Sequence, residues 1–186
     1  MLRSRASPRE ALILDACCVI TLAASGRMAG IVASLGMPVA VADFVREREV
    51  RLLASGDPED PGGGAIDLGS LVDAGLLEIV GLERGDEHLT FLDFARHVDD
   101  GEALTGAIAL HRDWAMATDD ARACAFLARE APQLPLLSTP ELVRHWVEQE
   151  RPSAGAVREV LARIRRRARY APGRNHPLAR WWEERC

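Results

Sequence analysis

ALILDACCVITLAASG, residues Ala11–Gly26, is the stretch on which the fold turns. Its first five residues read as a short strand whose apolar side chains point both ways, the pattern of a strand covered on both faces. One aspartate, Asp15, closes that strand, and CCVITLAAS continues as an apolar helix that Gly26 can terminate. A lone charge at the end of a core strand is costly unless it caps the helix or meets a ligand. Both uses of Asp15 stay open at this point.

The same grammar recurs outward from there. RMAGIVASL reads as a second helix ending at Gly36, and MPVAVA (37–42) as a second buried strand. DFVREREVRLLAS follows as a helix with Asp43 as its N-cap. GDPEDPGGG (56–64) is the clearest loop in the chain; beyond it IDLGSLVDAG reads as a helix and LLEIVGLE (76–83) as a third strand. A helix over about 87–97 leads into DDGEALTGAIALHR, where Leu104, Ala107, Ile108 and His111 fall at helical spacing. A strand over about 114–118 meets Asp119 and Asp120 and then a helix, and LPLLSTPELVRHWVEQE repeats the motif with Ser138 or Thr139 as cap. Strands alternating with helices predict an α/β sandwich around a mainly parallel sheet. The C-terminal edges of its strands then share one side, where ligands collect.

Charge divides the chain in two. Residues 1–150 carry 13 Arg against 25 Asp plus Glu, whereas residues 151–186 carry 10 Arg against 3 Glu, within a net charge of −5 for 186 residues. An acidic body, 1–150, is therefore expected to bear a basic helical extension, 151–186. RIRRRARYAPGRNHPLARWW (163–182) joins arginines, among them Arg165, Arg166, Arg167 and Arg169, to Tyr170, Trp181 and Trp182. Arginine contacts phosphates and aromatic rings stack on unpaired bases, so a nucleic-acid-binding tail is one expectation. A second is an amphipathic helix, VREVLARI (157–164), docked on the body with its tryptophans buried, and a third is an intermolecular contact, to a second copy of the chain or to a protein partner.

There is no lysine: all 23 basic residues are arginine. That omission excludes a P-loop, a Schiff-base enzyme and a receiver-type phosphoacceptor, each of which needs an amine. The four cysteines, Cys17, Cys18, Cys124 and Cys186, show no C-x-x-C spacing and read as reduced, space-filling thiols. The five histidines are scattered and read as surface or satisfied core residues. With 48% apolar residues, no uninterrupted apolar run of spanning length and no secretory h-region, a soluble cytoplasmic protein with no membrane partner is expected.

The acids themselves form a pattern. Asp15, Asp119 and Asp120 end strands; Glu102 lies in the first turn of its helix; Glu49, or Glu47 in its place, lies on the helix after the second strand. Carboxylates converging without lysine repel one another, and a divalent cation relieves that repulsion. Ligation by oxygen alone selects Mg²⁺ or Mn²⁺. LDACCVITLAASG, VADFVREREV, DDGEALTGAIAL and ATDDARACAFL resemble, in order and rough spacing, the four motifs of PIN domains over residues 11–140. The resemblance implies a PIN-like three-layer α/β/α sandwich and a Mg²⁺- or Mn²⁺-dependent endoribonuclease, most often the VapC-like toxin of a type II toxin–antitoxin pair. It implies Asp15, Glu49, Glu102, Asp119 and Asp120 as catalytic and metal-binding acids. Its implied partners are an RNA substrate and a cognate antitoxin, and its implied assembly is a homodimer. The length of the chain, the 56–64 loop and the arginine-rich extension depart from the compact toxin form.

Overall fold

A computed structural model describes residues 10–44 and 68–186. Among these residues five strands form one parallel sheet: β1 (Leu12–Leu14), β2 (Val39–Ala42), β3 (Glu78–Val80), β4 (Ala115–Ala117) and β5 (Leu136–Leu137). Their order is β3-β2-β1-β4-β5, with Leu12 of β1 registered between Val39 of β2 and Ala115 of β4. Leu12, Ile13 and Leu14 are all without solvent exposure, as a strand apolar on both faces requires. Each large aliphatic side chain so buried contributes about 1.5–3 kcal/mol of transfer free energy.

The helices described are α1 (Ala16–Ala24), α2 (Met28–Ser34), α3 (Leu68–Asp73), α4 (Gly85–Phe94), α5 (Asp100–His111), α6 (Ala121–Glu130), α7 (Thr139–Glu150), α8 (Ala154–Arg167) and α9 (Ala179–Glu183). α5 packs on β1, β2 and β4 and carries α4, while α1 packs with α2, α7 and α8. This is consistent with a three-layer α/β/α sandwich. Gly26 and Gly36 stop α1 and α2 in the left-handed conformation, at φ +68° and +64°. Among the described residues no single helix is long and apolar enough to cross a membrane; α1 and α2 are apolar together but are bent by 117° at their junction.

The strand order has a consequence for function. From β1 the chain steps outward through β2 to β3, then returns to place β4 on the opposite flank of β1. A parallel sheet that reverses its direction of growth opens a crevice at the carboxyl ends of the two strands beside the reversal. Those strands are β1 and β4, so the position where such a crevice forms is beside Asp15, Asp119 and Asp120.

Residues 151–186 are anchored to the body. Val157, Val160, Leu161 and Ile164, spaced i, i+3, i+4 and i+7 along α8, are buried in the same cluster as the sheet strands. Ser153 caps α8 by accepting the Ala156 N–H at 3.2 Å. Trp182 is 1% exposed, and Tyr170 meets its ring edge-on at 5.9 Å between centroids. The docked arrangement is therefore what α8 and Trp182 display, with Trp181 only partly buried, and the Tyr170 and Trp182 rings pack on each other. Arg165, Arg166, Arg167 and Arg169 remain on the solvent side. Ile164→Val removes one buried methylene and is expected to cost about 0.5–1.5 kcal/mol in denaturant unfolding with an unchanged slope. A shift indistinguishable from zero would mean that α8 is undocked in solution.

A buried ion pair fastens α4 and α5 to the residues that follow β3. Glu87, with no solvent exposure, accepts the Arg112 Nε–H at 2.8 Å and the backbone N–H groups of Glu83 and Arg84 at 2.8 and 3.2 Å. Arg112 also donates to the Gly81 carbonyl at 2.8 Å, so one pair joins α4, α5 and the end of β3. Nothing in the residue pattern of 83–112 marked these two charges out from a solvated helix surface.

Candidate functional site at the switch point

Asp15 follows β1 and occupies the N-cap position of α1, at φ −73° and ψ 159°. Its side chain makes no capping bond. Instead Oδ2 accepts the Thr118 hydroxyl at 2.9 Å and the Cys17 thiol at 3.1 Å, and the residue is 3% exposed. Burial pushes the Asp15 carboxyl above its ordinary range; the hydrogen bonds from Cys17, Thr118 and the Ala16 N–H oppose that rise, and the Asp120 charge adds to it. Of the two uses left open by the sequence, capping is not the one this carboxylate performs.

Asp119 and Asp120 follow β4 and divide their tasks. Asp120 is the N-cap of α6, its Oδ1 accepting the Ala123 N–H at 2.7 Å, while its own N–H donates to Thr118 Oγ1 at 3.2 Å. Asp119 holds its Oδ1 between two donors, the Thr139 N–H and the Tyr170 hydroxyl, each at 2.9 Å. Its other oxygen, Oδ2, faces Cys18 Sγ at 3.7 Å.

Glu102 sits at the third position of α5, half-buried. Its Oε2 accepts the Asp99 N–H at 3.2 Å, so it forms the capping box expected of a first-turn acid. It also senses the crevice: burial first, then the charges of Asp120, Asp15 and Asp99, push its carboxyl up to about 7, against the opposing Asp99 N–H bond. Asp15, Asp119, Asp120 and Glu102 thus reach one sheet edge from β1, β4 and α5. Glu49 and Glu47 lie outside the described residues.

Three groups enter this edge that the residue pattern did not assign to it. Cys17 and Cys18 are the second and third residues of α1, directly after Asp15, and their ligand atoms lie within 4.8 Å of one another and of an Asp119 oxygen. Among the described residues this is the one group of three or more metal-ligating side chains so close. The oxygen-only donor set expected from the sequence therefore has thiols within it, and adjacency to Asp15 was the available signal. Tyr170, expected to belong to a nucleic-acid tail, donates to Asp119 from the segment after α8. Burial, together with the Asp119 charge and hydrogen bond, lifts its phenol well above the ordinary range, so it stays an O–H donor. Tyr170→Phe is expected to lower stability by about 1.5 kcal/mol, the lower end for a hydrogen bond to a charged group, as measured by thermal unfolding. An unchanged midpoint would show that water replaces the phenol.

Each histidine bonds or stacks within the fold; His88 Nδ1 lies 2.8 Å from the Arg84 carbonyl. His176 accepts the Leu178 N–H through Nδ1 at 3.0 Å, which leaves Nε2 to donate to Ser138 Oγ at 3.0 Å. Ser138 in turn donates to Glu141 Oε2 at 2.7 Å and is the N-cap of α7. His111 pairs with Thr90 Oγ1 at 2.7 Å, His145 with the Ser34 carbonyl at 3.0 Å, and His97 stacks on Phe126. A cleft of about 450 Å³ lined by Val147, Val157, Arg158 and Arg185 lies elsewhere and contains none of the crevice acids.

Fold and edge together define a parallel α/β protein whose switch-point crevice gathers carboxylates and two thiols. No protein-family model matches the chain, and no curated protein matches it in sequence.

Proposed function

We propose that this protein is a metal-dependent endoribonuclease of the PIN type. One observation carries the proposal: at the switch point Asp15 is buried, unused for capping and electrostatically coupled to Asp120 and Glu102. Asp15 and Glu102, whose proton affinity is raised first by burial and then by neighbouring carboxylate charge, fit a site for a divalent cation, whose presence would offset both. Mg²⁺ or Mn²⁺ bound there would orient an RNA phosphodiester, acidify a water and stabilise the leaving oxygen.

The chain's own groups have definable tasks. Thr118 fixes the rotamer of Asp15 through Oδ2, and Thr139 and Tyr170 fix that of Asp119 through Oδ1. Asp15 and Asp119 would be the direct ligands, with Asp120 and Glu102 offering the oxygen that capping leaves over. The exposed Arg165, Arg166 and Arg169 on and after α8 offer phosphate contacts to a strand passing the crevice. On the toxin form of this reading, a cognate antitoxin is the protein partner, the assembly is a homodimer and the location is cytoplasmic.

The test is incubation of a mixed RNA pool with purified protein and Mn²⁺, Mg²⁺ or EDTA. Endonucleolytic products that appear with the metals and vanish with EDTA are expected. Retention of RNA without cleavage under every condition would replace the enzyme by a catalytically silent binding scaffold.

A further inference from the structure

We infer that Cys17, Cys18 and Asp119 form a binding site for a thiophilic divalent cation of the zinc class. The inference rests on the thiols and does not depend on nuclease activity. Zinc-class ions favour sulfur ligands, whereas Mg²⁺ and Mn²⁺ favour oxygen, so two thiols beside one carboxylate select a different ion from the all-oxygen set.

Geometry supports the donor set. Zn–S bonds of about 2.3 Å and Zn–O bonds of about 2.0–2.2 Å in a tetrahedron put neighbouring ligand atoms roughly 3.5–3.8 Å apart. Cys18 Sγ and Asp119 Oδ2 stand at 3.7 Å, and the three ligand atoms all lie within 4.8 Å of one another. Closing the set around an ion therefore asks for side-chain movements on the order of 1 Å or less. Two neighbouring residues on a helix usually diverge by about 100°. Here both thiols converge because they stand in the first turn of α1, against the loop that follows β4.

Each ligand is also held from behind. Cys18 is fully buried and its sulfur receives the Thr139 hydroxyl at 3.4 Å. Cys17 Sγ receives the Asp119 N–H at 3.2 Å and lies 3.5 Å from Thr118 Oγ1. Asp119 Oδ1 is occupied by Thr139 and Tyr170, which leaves Oδ2 turned toward the thiols. Such outer partners are what orients metal ligands in established sites. Three protein ligands leave a fourth position to water, the open arrangement of a reactive rather than a purely structural zinc centre. Because the ligands bind as thiolates, each ion taken up releases the two thiol protons.

The experiment uses Cd²⁺ as the spectroscopic probe and the full chain, reduced and treated with chelator beforehand. Titration is expected to raise an ultraviolet thiolate-to-cadmium charge-transfer band that saturates at one ion per chain, with proton release into weak buffer and displacement by Zn²⁺. Cys17→Ser, at the half-exposed ligand, is expected to lose the band and to weaken binding beyond the roughly 10–100-fold that an outer partner costs. Cys124→Ser and Cys186→Ser should retain band and stoichiometry. Cys18→Ser is read where circular dichroism shows a folded chain, and Cys17→Ser decides the matter alone where it does not. Absence of a saturable band in the wild type, or its persistence in Cys17→Ser, would overturn the site. Both readings use Asp119, so RNA cleavage is scored separately with Mn²⁺ on the chelator-treated chain, where its failure and the failure of the thiol site are told apart.

Discussion

Asp15→Asn is expected to reduce Mn²⁺-dependent RNA cleavage by about a thousandfold or more, equivalent to about 4 kcal/mol of activation free energy. The substitution keeps the size of the side chain and an oxygen that can accept the Thr118 hydroxyl, so the geometry at the end of β1 is preserved. It removes the charge that a cation would need. Stability should move the other way. Burial already raises the proton affinity of Asp15, which means that the folded chain holds its carboxylate at a cost relative to the unfolded chain. A neutral amide avoids that cost, so the melting temperature of the variant should equal or exceed that of the wild type at neutral pH. Loss of activity with retained stability marks a functional carboxylate. Full activity in the variant would sink the nuclease proposal, and a large loss of stability would return Asp15 to a structural role.

The second large effect concerns the Glu87–Arg112 pair. Burial opposes ionisation of Glu87, but the Arg112 hydrogen bond, the N–H groups of Glu83 and Arg84 and the Arg112 charge outweigh it, holding the carboxyl down to about 2 against an ordinary 4.5. Since the folded value is below the unfolded one, the stabilisation is complete above about pH 4.5 and is lost as the pH falls toward 2. A displacement of this size corresponds to about 3 kcal/mol. Glu87→Gln should therefore lower stability at pH 7 by about 3 kcal/mol, because Arg112, with 14% of its side chain exposed, loses its buried counter-charge and keeps the exposed Glu83 carboxylate at 3.8 Å. In a chain of this length the midpoint would fall by roughly 10 °C. The variant should also lose the part of the acid dependence that lies between pH 4.5 and 2. Replacing both residues by leucine should restore part of the stability, since the cost of burying charge disappears from both sides while the Glu83 and Arg84 N–H groups and the Gly81 carbonyl lose their partners. Equal acid profiles for wild type and Glu87→Gln would show that other carboxylates control acid unfolding.

How much of this was written in the chain differs between elements and site. The apolar runs at Leu12–Leu14, Val39–Ala42 and Ala115–Ala117 announced buried parallel strands, because a strand covered on both faces has no polar alternation to confuse with a helix. Gly26 and Gly36 marked helix ends for an equally local reason, the left-handed conformation that glycine adopts without a side-chain clash. Asp15, Asp119, Asp120 and Glu102 were visible as acids beside strand ends and a helix start. Ser138 and Thr139 could not be told apart as caps from sequence, since either hydroxyl can serve; the Glu141 contact selects Ser138.

Other features depend on residues far apart in the chain, and local pattern carries no information about them. That Asp15 does not cap its helix follows from Thr118, 103 positions away, offering a better partner. That Cys17 and Cys18 face a carboxylate follows from β4 returning beside β1. Tyr170 reaches Asp119 only because α8 buries Leu161 and Ile164 against the body and turns the following residues back over the sheet edge. Glu87 and Arg112, 25 residues apart, are indistinguishable in composition from solvated surface charges until α4 and α5 enclose them. The sequence by itself determined the alternating elements, the buried strands and the acids at their ends, through short-range periodicity and turn chemistry. Tertiary structure alone decided which strands flank the reversal, and hence which acids, thiols and phenol meet in one crevice, because packing sets distances between residues that the chain keeps far apart.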